Sequence, residues 1–300
     1  MKEHLSADLI TSTKTVDPCK NYDVFQSMED DEIPGPSLED RKFVEAMDAG
    51  IQVNSKGNLE MPLPLRDTIE IRYNGLSVFH RTKGTLERMK RDPSLLRECV
   101  KIMDNYIVNG HVEQVPQNEL EKDEEHLNYI PIFCVKSKNK PKPRIVFDSA
   151  AKYAGRSFNE NLLQGPDYNN RLVGVLTRFR HGPVGFAADI ECMFHSFYVS
   201  PEYRDLQRFF WWEDGDPNKK IVTYRANVHV FGHRSSPAVA MYGLHHAAST
   251  EEAKKCTFGS EFILRNFYVD DGLGATDSSE TAITSLKEAR KILEVYNIRL

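Results

Sequence analysis

Long apolar runs are missing from this 300-residue chain. None approaches the ~18 residues needed to span a bilayer, which excludes an integral membrane protein. The start, Met1-Lys2-Glu3-His4-Leu5-Ser6, has no apolar stretch behind its charge, so no secretory signal is visible and a secreted product is not expected. Cysteine is scarce: Cys19, Cys99, Cys134, Cys192 and Cys256 are odd in number and far apart. No pair has the two-residue spacing of a zinc knuckle. A disulfide framework is not expected in what reads as a reducing compartment, and most of the five are read as buried thiols. No internal repeat is present. Against these absences stands a hydrophobic content of 40%, with 16 Phe and 12 Tyr, which is ample for a core and excludes wholesale disorder.

Neither sign of charge dominates, but the charge is unevenly spread. Residues 1–60 hold thirteen Asp/Glu against six Lys/Arg, so the remaining 240 residues, with 31 acids and 33 bases, are slightly basic. The net charge of -5 therefore neither excludes nor establishes a basic groove in the main body. Residues 1–36 read as an acidic arm or linker, ending in Glu29-Asp30-Asp31-Glu32 and Pro34-Gly35-Pro36.

Ser37 with Asp40 starts a helix to about Gly50, and Ile51–Leu65 reads as a hairpin around Ser55-Lys56-Gly57-Asn58. Two helices follow, the second from Ser94 to Asn109, where Asn109-Gly110 is a fitting stop. From about residue 128 the texture changes to short apolar runs. Tyr129–Val135 and Arg144–Phe147 are expected as strands, Asp167–Gly182 as a helix, and Pro183–Ile190 as a strand. Gln207–Trp212 and Ile221–Val230 form another strand pair. Ser236-Pro237 starts an Ala-rich helix, Ile263–Val269 with Leu273–Ala275 reads as a hairpin, and Ser278–Asn297 as a helix. This order fits an α+β fold, an antiparallel sheet with helices on one face.

Two acidic sites stand out. Asp189 ends Val184-Gly185-Phe186-Ala187-Ala188, a run expected to be a fully buried strand, where a carboxylate costs desolvation unless paired or bound to a cation. Asp270-Asp271 closes Asn266-Phe267-Tyr268-Val269, and Gly272 follows. Adjacent strand residues point to opposite faces, so only a turn lets both acids approach one point. Two like charges so close raise each other's pKa unless something positive sits between them, and Mg²⁺ suits carboxylates plus phosphates. Each acid alone is ambiguous. Together they suggest phosphoryl transfer, a nuclease or a polymerase, with a metal pair about 3.5–4 Å apart.

Tyr268-Val269-Asp270-Asp271 resembles the catalytic tetrad of reverse transcriptases, and other motifs agree in order. Arg144-Ile145-Val146-Phe147-Asp148 resembles the fingers motif. Ser157-Phe158-Asn159 with Leu162-Leu163-Gln164-Gly165-Pro166 is similar to the bridge between fingers and palm. Ala188-Asp189-Ile190-Glu191-Cys192-Met193-Phe194 resembles the first catalytic motif, and Leu206-Gln207-Arg208-Phe209-Phe210-Trp211 with Phe231-Gly232-His233-Arg234-Ser235-Ser236-Pro237 complete the set. Over roughly residues 37–300 the chain resembles the Pol protein of BEL/Pao-type long-terminal-repeat retrotransposons.

The resemblance implies a right-hand polymerase: a helical region at 37–127, fingers at 128–182, and a palm at 183–300 whose antiparallel sheet is backed by helices, with the thumb absent. Asp189 and Asp270 become the metal ligands, with Asp271 beside them and the Ile190 carbonyl adding an oxygen. The cofactor is a pair of Mg²⁺ ions, with Mn²⁺ as the substitute. The implied reaction joins a dNTP to a primer 3′-hydroxyl on an RNA or DNA template, releasing pyrophosphate. Arg144 and Lys138 would face the triphosphate, while Lys136, Lys140, Lys142, Pro237 and Tyr268 would face template and primer. The lysine run is otherwise a solvated hairpin tip. Phe194 would exclude a ribose 2′-hydroxyl, or is an ordinary core phenylalanine. Phe231-Gly232 would pack on the incoming nucleotide, although many retroviral relatives have Gln at Phe231. Gly272-Leu273-Gly274 departs from the bulkier residues usual after the tetrad, and a loosened strand is expected.

Of the remaining motifs, His195, His229, His233, His245 and His246 are read as structural or surface residues. Asp148-Ser149-Ala150 resembles an aspartic-protease signature but lacks its Gly and apolar context, and is rejected. Ile298-Arg299-Leu300 resembles the start of the primer-gripping strand and is expected to fray. Thumb and ribonuclease H segments would normally continue in cis. The expected location is the cytoplasm, virus-like particles included, or the nucleus. A relic that binds nucleic acid without turnover, and a two-metal nuclease, are the alternatives.

Overall fold

Local sequence signals set most of the element boundaries in the computed structural model, which describes residues 35–120, 127–136 and 143–300. The acidic stretch through Glu32 and the lysines at 138, 140 and 142 lie outside the described residues. Helix α1 (Leu38–Gly50) buries Phe43 and Met47. Strands β1 (Gln52–Val53) and β2 (Leu59–Met61) form the expected hairpin, its turn closed by the Asn54 side chain, which accepts from the backbone N–H of Lys56 and Asn58 at 3.0 Å. Helix α2 spans Gly75–Lys90 and α3 spans Pro93–Val108. The cap of α3 is Asp92, whose carboxylate accepts from Ser94 and Leu95, with Pro93 in the first turn. The sequence reading entered this helix at Ser94, missing the stronger start.

Strands β3 (Val112–Gln114), β4 (Ile132–Val135), β5 (Arg144–Phe147), β6 (Lys152–Tyr153) and β7 (Arg156–Ser157) come next. β4 pairs antiparallel with β5, Ile132 opposite Phe147, and β6 with β7. Helix α4 covers Leu172–Phe179, not the expected span from Asp167. There the Asp167 carboxylate accepts from the backbone N–H of Asn169, an Asx turn that holds the chain out of the helix. Strands β8 (Val184–Asp189), β9 (Tyr198–Val199), β10 (Arg208–Trp212) and β11 (Ile221–Ala226) follow. Then come α5 (Ser236–Ala248), α6 (Glu251–Lys254), α7 (Thr257–Asn266), β12 (Phe267–Tyr268), β13 (Asp271–Thr276) and α8 (Ser279–Glu294). The whole is mixed α+β, with small sheets ordered β1-β2-β9, β10-β11-β3 and β12-β13-β8. No helix among the described residues is long and apolar enough to cross a membrane.

Three expectations change around the β12-β13-β8 sheet. Ile263 to Asn266 are helical rather than strand, because α7 buries Phe262 and Ile263 against α8 and the sheet, leaving β12 only Phe267 and Tyr268. β8 is not fully buried: Gly185, Ala187 and Asp189 are exposed, while Val184, Phe186 and Ala188 are half-buried. Gly272 and Gly274 do not loosen β13. A Cβ at Gly272 would meet the Phe267 ring at 2.7 Å, and one at Gly274 would meet Phe186 at 2.4 Å, so aromatic rings from neighbouring elements fill the space these glycines leave.

The sheet is backed by α7 and α8, with α5 behind them, around a core that includes Phe197, Val239, Leu244, Phe267 and Leu293. A second core gathers Trp211, Trp212, Phe209 and Phe147 with Met103 and Cys99 of α3. There α3 packs on β5, and Cys99 is joined to Cys134 of β4 in a disulfide, their Cα atoms 6.6 Å apart. No disulfide is expected from the sequence, in which 35 residues part the two; tertiary packing supplies the proximity. Such a bond persists in oxidising surroundings and is kept open by cytosolic thiols. Cys192 and Cys256 are free thiols, but against the expected burial Cys192 is exposed and Cys256 only half-buried. The last residues do not fray: Ile298 is fully buried, and the Arg299 carbonyl accepts from the Glu191 N–H at 3.0 Å.

Gly274→Ala is expected to lower stability by about 1–3 kcal/mol, the usual cost of overpacking. Thermal unfolding checks this, and an unchanged midpoint would mean the Phe186 ring gives way freely.

Candidate metal centre

Register brings the acids together. In the β13–β8 ladder Asp271 lies directly opposite Asp189, followed by Gly272 opposite Ala188 and so on to Thr276 opposite Val184. Directly opposed residues share a face, so the Asp189 and Asp271 side chains project to the same side. Asp270 arrives from the two-residue loop that joins Tyr268 to its partner Asp271. The three carboxylates each offer an oxygen within 4.8 Å of the others, and all three residues are exposed. The far end of this face is covered by Phe179 of α4, which lies 3.3 Å from where a Cβ at Gly185 would sit. The acid end is open.

The loop is strained. Val269 sits at φ 57°, a region that a β-branched residue rarely adopts and that costs about 1–3 kcal/mol. Two hydrogen bonds hold it. The Ile190 N–H donates to the Asp270 carbonyl at 3.1 Å, extending β8 past Asp189, and the Val269 N–H donates to Asn169 Oδ1 at 3.1 Å.

Loss of hydration, reinforced by the negative charges of Asp270 and Asp271, pushes the Asp189 carboxyl above the ordinary carboxylate range. No ion pair neutralises any of the three among the described residues. Like charges directly opposite one another destabilise a strand pair, and these three carboxylates converge without a donor among the described residues. An all-oxygen set of this kind fits a hard divalent cation such as Mg²⁺ or Mn²⁺. Ile190, whose carbonyl was expected to help, is buried beside Asp189.

The other expected site residues fall into groups. Cys192 turns the chain through a left-handed φ of 50° into a short 3-10 turn, Met193–Ser196, carrying Phe194. The half-buried Phe194 ring lies 5.9 Å from that of Phe231, itself 49% exposed. Gly232 adopts φ 135°, and a Cβ there would lie 1.9 Å from the Phe147 carbonyl oxygen, so no other residue fits. This loop is stitched to the end of β5: the Phe147 N–H donates to the Phe231 carbonyl at 3.3 Å, and Asn159 bridges the Gly232 carbonyl and the Arg234 N–H.

Arg144, at the opposite end of β5, is exposed and has no ion pair among the described residues; Lys136 is exposed just past its partner Val135. Pro237 is exposed in the first turn of α5, and Tyr268 is 38% exposed on β12. Lys138, Lys140 and Lys142 lie outside the described residues.

Burial pushes His229 down to about 4 and His195 and His233 to about 3, with neighbouring His111 and His229 helping at the latter two. All three stay neutral near pH 7. Asp148 pairs with Arg81.

Sequence reasoning missed Asn169 and Asn170. Asn170 Nδ2 donates to the carbonyls of Leu264 and Phe267, so the pair grips both sides of β12. The cue available was Asp167 two residues before Asn169, an Asx-turn spacing. Compared with known proteins, the chain matches no family model and no curated protein.

Added Mn²⁺ should raise the melting temperature of the parent chain and not that of Asp189→Asn. A carboxyl whose folded pKa is raised binds its proton more tightly in the folded chain. Its ionisation therefore costs stability as pH climbs from the unfolded pKa through the folded one. Without metal at neutral pH, Asp189→Asn should thus melt no lower than the parent, and any gain should close as pH falls below the ordinary carboxylate range. Thermal melts across pH check both; a clearly less stable Asp189→Asn would reverse the sign argued here.

Proposed function

We propose that this chain is the fingers and palm region of an RNA-directed DNA polymerase of the retrotransposon kind. The observation that carries the reading is the convergence of Asp189, Asp270 and Asp271 at the open end of an antiparallel sheet backed by helices. A nuclease reading also uses such acids. The Phe194–Phe231 ring pair and the Gly232 loop tied to β5 favour the polymerase, because a nuclease needs no site for an incoming nucleoside triphosphate.

In this reading β12, β13 and β8 form the palm, and the β4–β5 hairpin belongs to the fingers. Asp189 and Asp270 hold the cations, and Asp271, on the same face, adds negative charge that draws them in. Two Mg²⁺ ions bound there would lower the pKa of the primer 3′-hydroxyl and neutralise the triphosphate. Arg144, which has no ion pair among the described residues, offers a fork-shaped donor suited to the triphosphate oxygens. Phe231 offers an exposed apolar face to the incoming nucleotide. Phe194, held beside it, closes the space that a ribose 2′-hydroxyl would need. Tyr268 and Pro237 stand exposed for primer and template. The partners implied are an RNA or DNA template with its primer, dNTPs, and thumb and ribonuclease H segments in cis.

Asp189→Asn or Asp270→Asn should abolish primer extension while leaving primer–template binding nearly unchanged, since phosphate contacts elsewhere supply affinity. A labelled primer run on a gel reads the outcome. Lengthening by the parent supports a polymerase, shortening supports the nuclease, and extension at near-parent rate by a folded variant rules out the assignment of these acids.

Phe194→Val should raise the use of ribonucleotides relative to deoxynucleotides by about tenfold or more, within the range that pocket-filling groups control. The ratio of kcat/KM values is the measurement. An unchanged ratio in an active variant would make Phe194 a packing residue only.

A further inference from the structure

Asp270 reaches the acidic cluster through a backbone conformation that its own neighbour disfavours. The first loop position after Tyr268 needs a positive φ, which glycine supplies freely in two-residue hairpin loops, yet the residue there is Val269 at φ 57°. Something outside the loop must hold it. The Ile190 N–H to Asp270 carbonyl bond continues the strand ladder, and among the described residues the only side chain bonded to the loop backbone is Asn169, through its Oδ1 and the Val269 N–H.

The orientation of that amide is fixed by chemistry. Asp167 Oδ1, an acceptor only, receives both the Asn169 Nδ2–H at 2.9 Å and the Asn169 backbone N–H at 3.0 Å. The amide nitrogen must therefore face Asp167, which leaves the amide oxygen toward Val269. The next residue, Asn170, fastens the start of β12 by donating to the Phe267 carbonyl at 2.9 Å. Residues 167–170 thus form a clamp on the outer side of the hairpin, opposite the strand ladder on its inner side.

We infer that Asn169 is a positioning residue of the metal centre, holding Val269 at positive φ so that Asp270 stays beside Asp189 and Asp271. The inference rests on the reading that these acids bind divalent cations. Without Asn169, Val269 relaxes toward negative φ, Asp270 swings away, and the cation keeps fewer of its ligands. Groups that orient metal ligands typically change metal affinity by about 10–100-fold when removed.

The test measures Mn²⁺ affinity from the free-ion electron paramagnetic resonance signal, on the full chain without nucleic acid. Asn169→Ala should weaken Mn²⁺ binding by about tenfold or more. In a Val269→Gly background, where positive φ carries no steric cost, the same substitution should have much less effect. A merely structural asparagine would lower the melting temperature in both backgrounds and leave Mn²⁺ affinity alone, which overturns the inference. Asp189→Asn is the control. If it removes Mn²⁺ binding while Asn169→Ala does not, the assignment of Asn169 fails and the metal reading stands; if Asp189→Asn binds Mn²⁺ like the parent, the metal reading fails and the inference with it. Should Asn169→Ala not fold, Asp167→Ala, at an exposed position, frees the amide to rotate and should still weaken Mn²⁺ binding. Unchanged affinity there overturns the inference equally.

Discussion

The pairing of Asp189 with Asp271 across β8 and β13 is the constraint on which the site depends. Opposed carboxylates repel, so the register must be enforced by what lies on the other face of the same strands. There the Phe186 ring fills the space left by its partner Gly274, and the Phe267 ring fills the space left by Gly272, which pairs with Ala188. A slip of one residue would drive Asp271 into the aromatic cluster of Phe262 and Phe267 and expose the glycine positions. Aromatic packing on the hidden face thus holds the like charges on the open face.

A contrast with the β10-β11-β3 sheet brings out what is unusual about the acids. Arg225 contacts Glu113, Glu119 and Asp205, and the fully buried Arg208 contacts Asp205 and the carbonyls of Glu119 and Leu120. Those charges are paired and hydrogen-bonded, as burial demands. At the sheet end the acids are exposed and convergent, with no ion pair among the described residues. In the first case charge fixes structure. In the second, structure brings charge together at its own expense, which is the pattern expected where a ligand is to supply the missing sign.

Much of this was legible in the sequence where the signal is local. The hairpin at Asn54–Asn58, the stop at Asn109-Gly110, the start at Ser236-Pro237 and the strand closed by Asp189 each follow from one or two residues whose backbone preferences are strong. The convergence of Asp189 with Asp270 and Asp271 follows from a turn and a motif resemblance, and in the fold the three lie together. What was not legible depends on distant partners. Ile263 and Leu264 have the apolar content of a strand, and only packing against α8 decides that they are helical. Cys99 and Cys134 meet because α3 packs beside β4 and β5. Gly272 and Gly274 read as weakness until the rings that occupy their space are known. Asn169 carries no catalytic chemistry of its own, and its one local cue, the Asx-turn spacing from Asp167, marks a turn and not a place beside the acids.

The loop at Phe231-Gly232 links the acidic cluster to the β4–β5 pair that carries Arg144. Gly232 lets the chain pass so close to β5 that the Phe147 carbonyl occupies the place of a side chain, and Phe231 bonds the Phe147 N–H from the same approach. Phe231 in turn lies against Phe194, which follows Asp189 by one short turn. A displacement of β5 would therefore be felt at Phe231 directly and at Phe194 through ring contact, whereas Asp189 is anchored separately by the β13 ladder. That division follows from one glycine having no side chain to hold its loop away from β5.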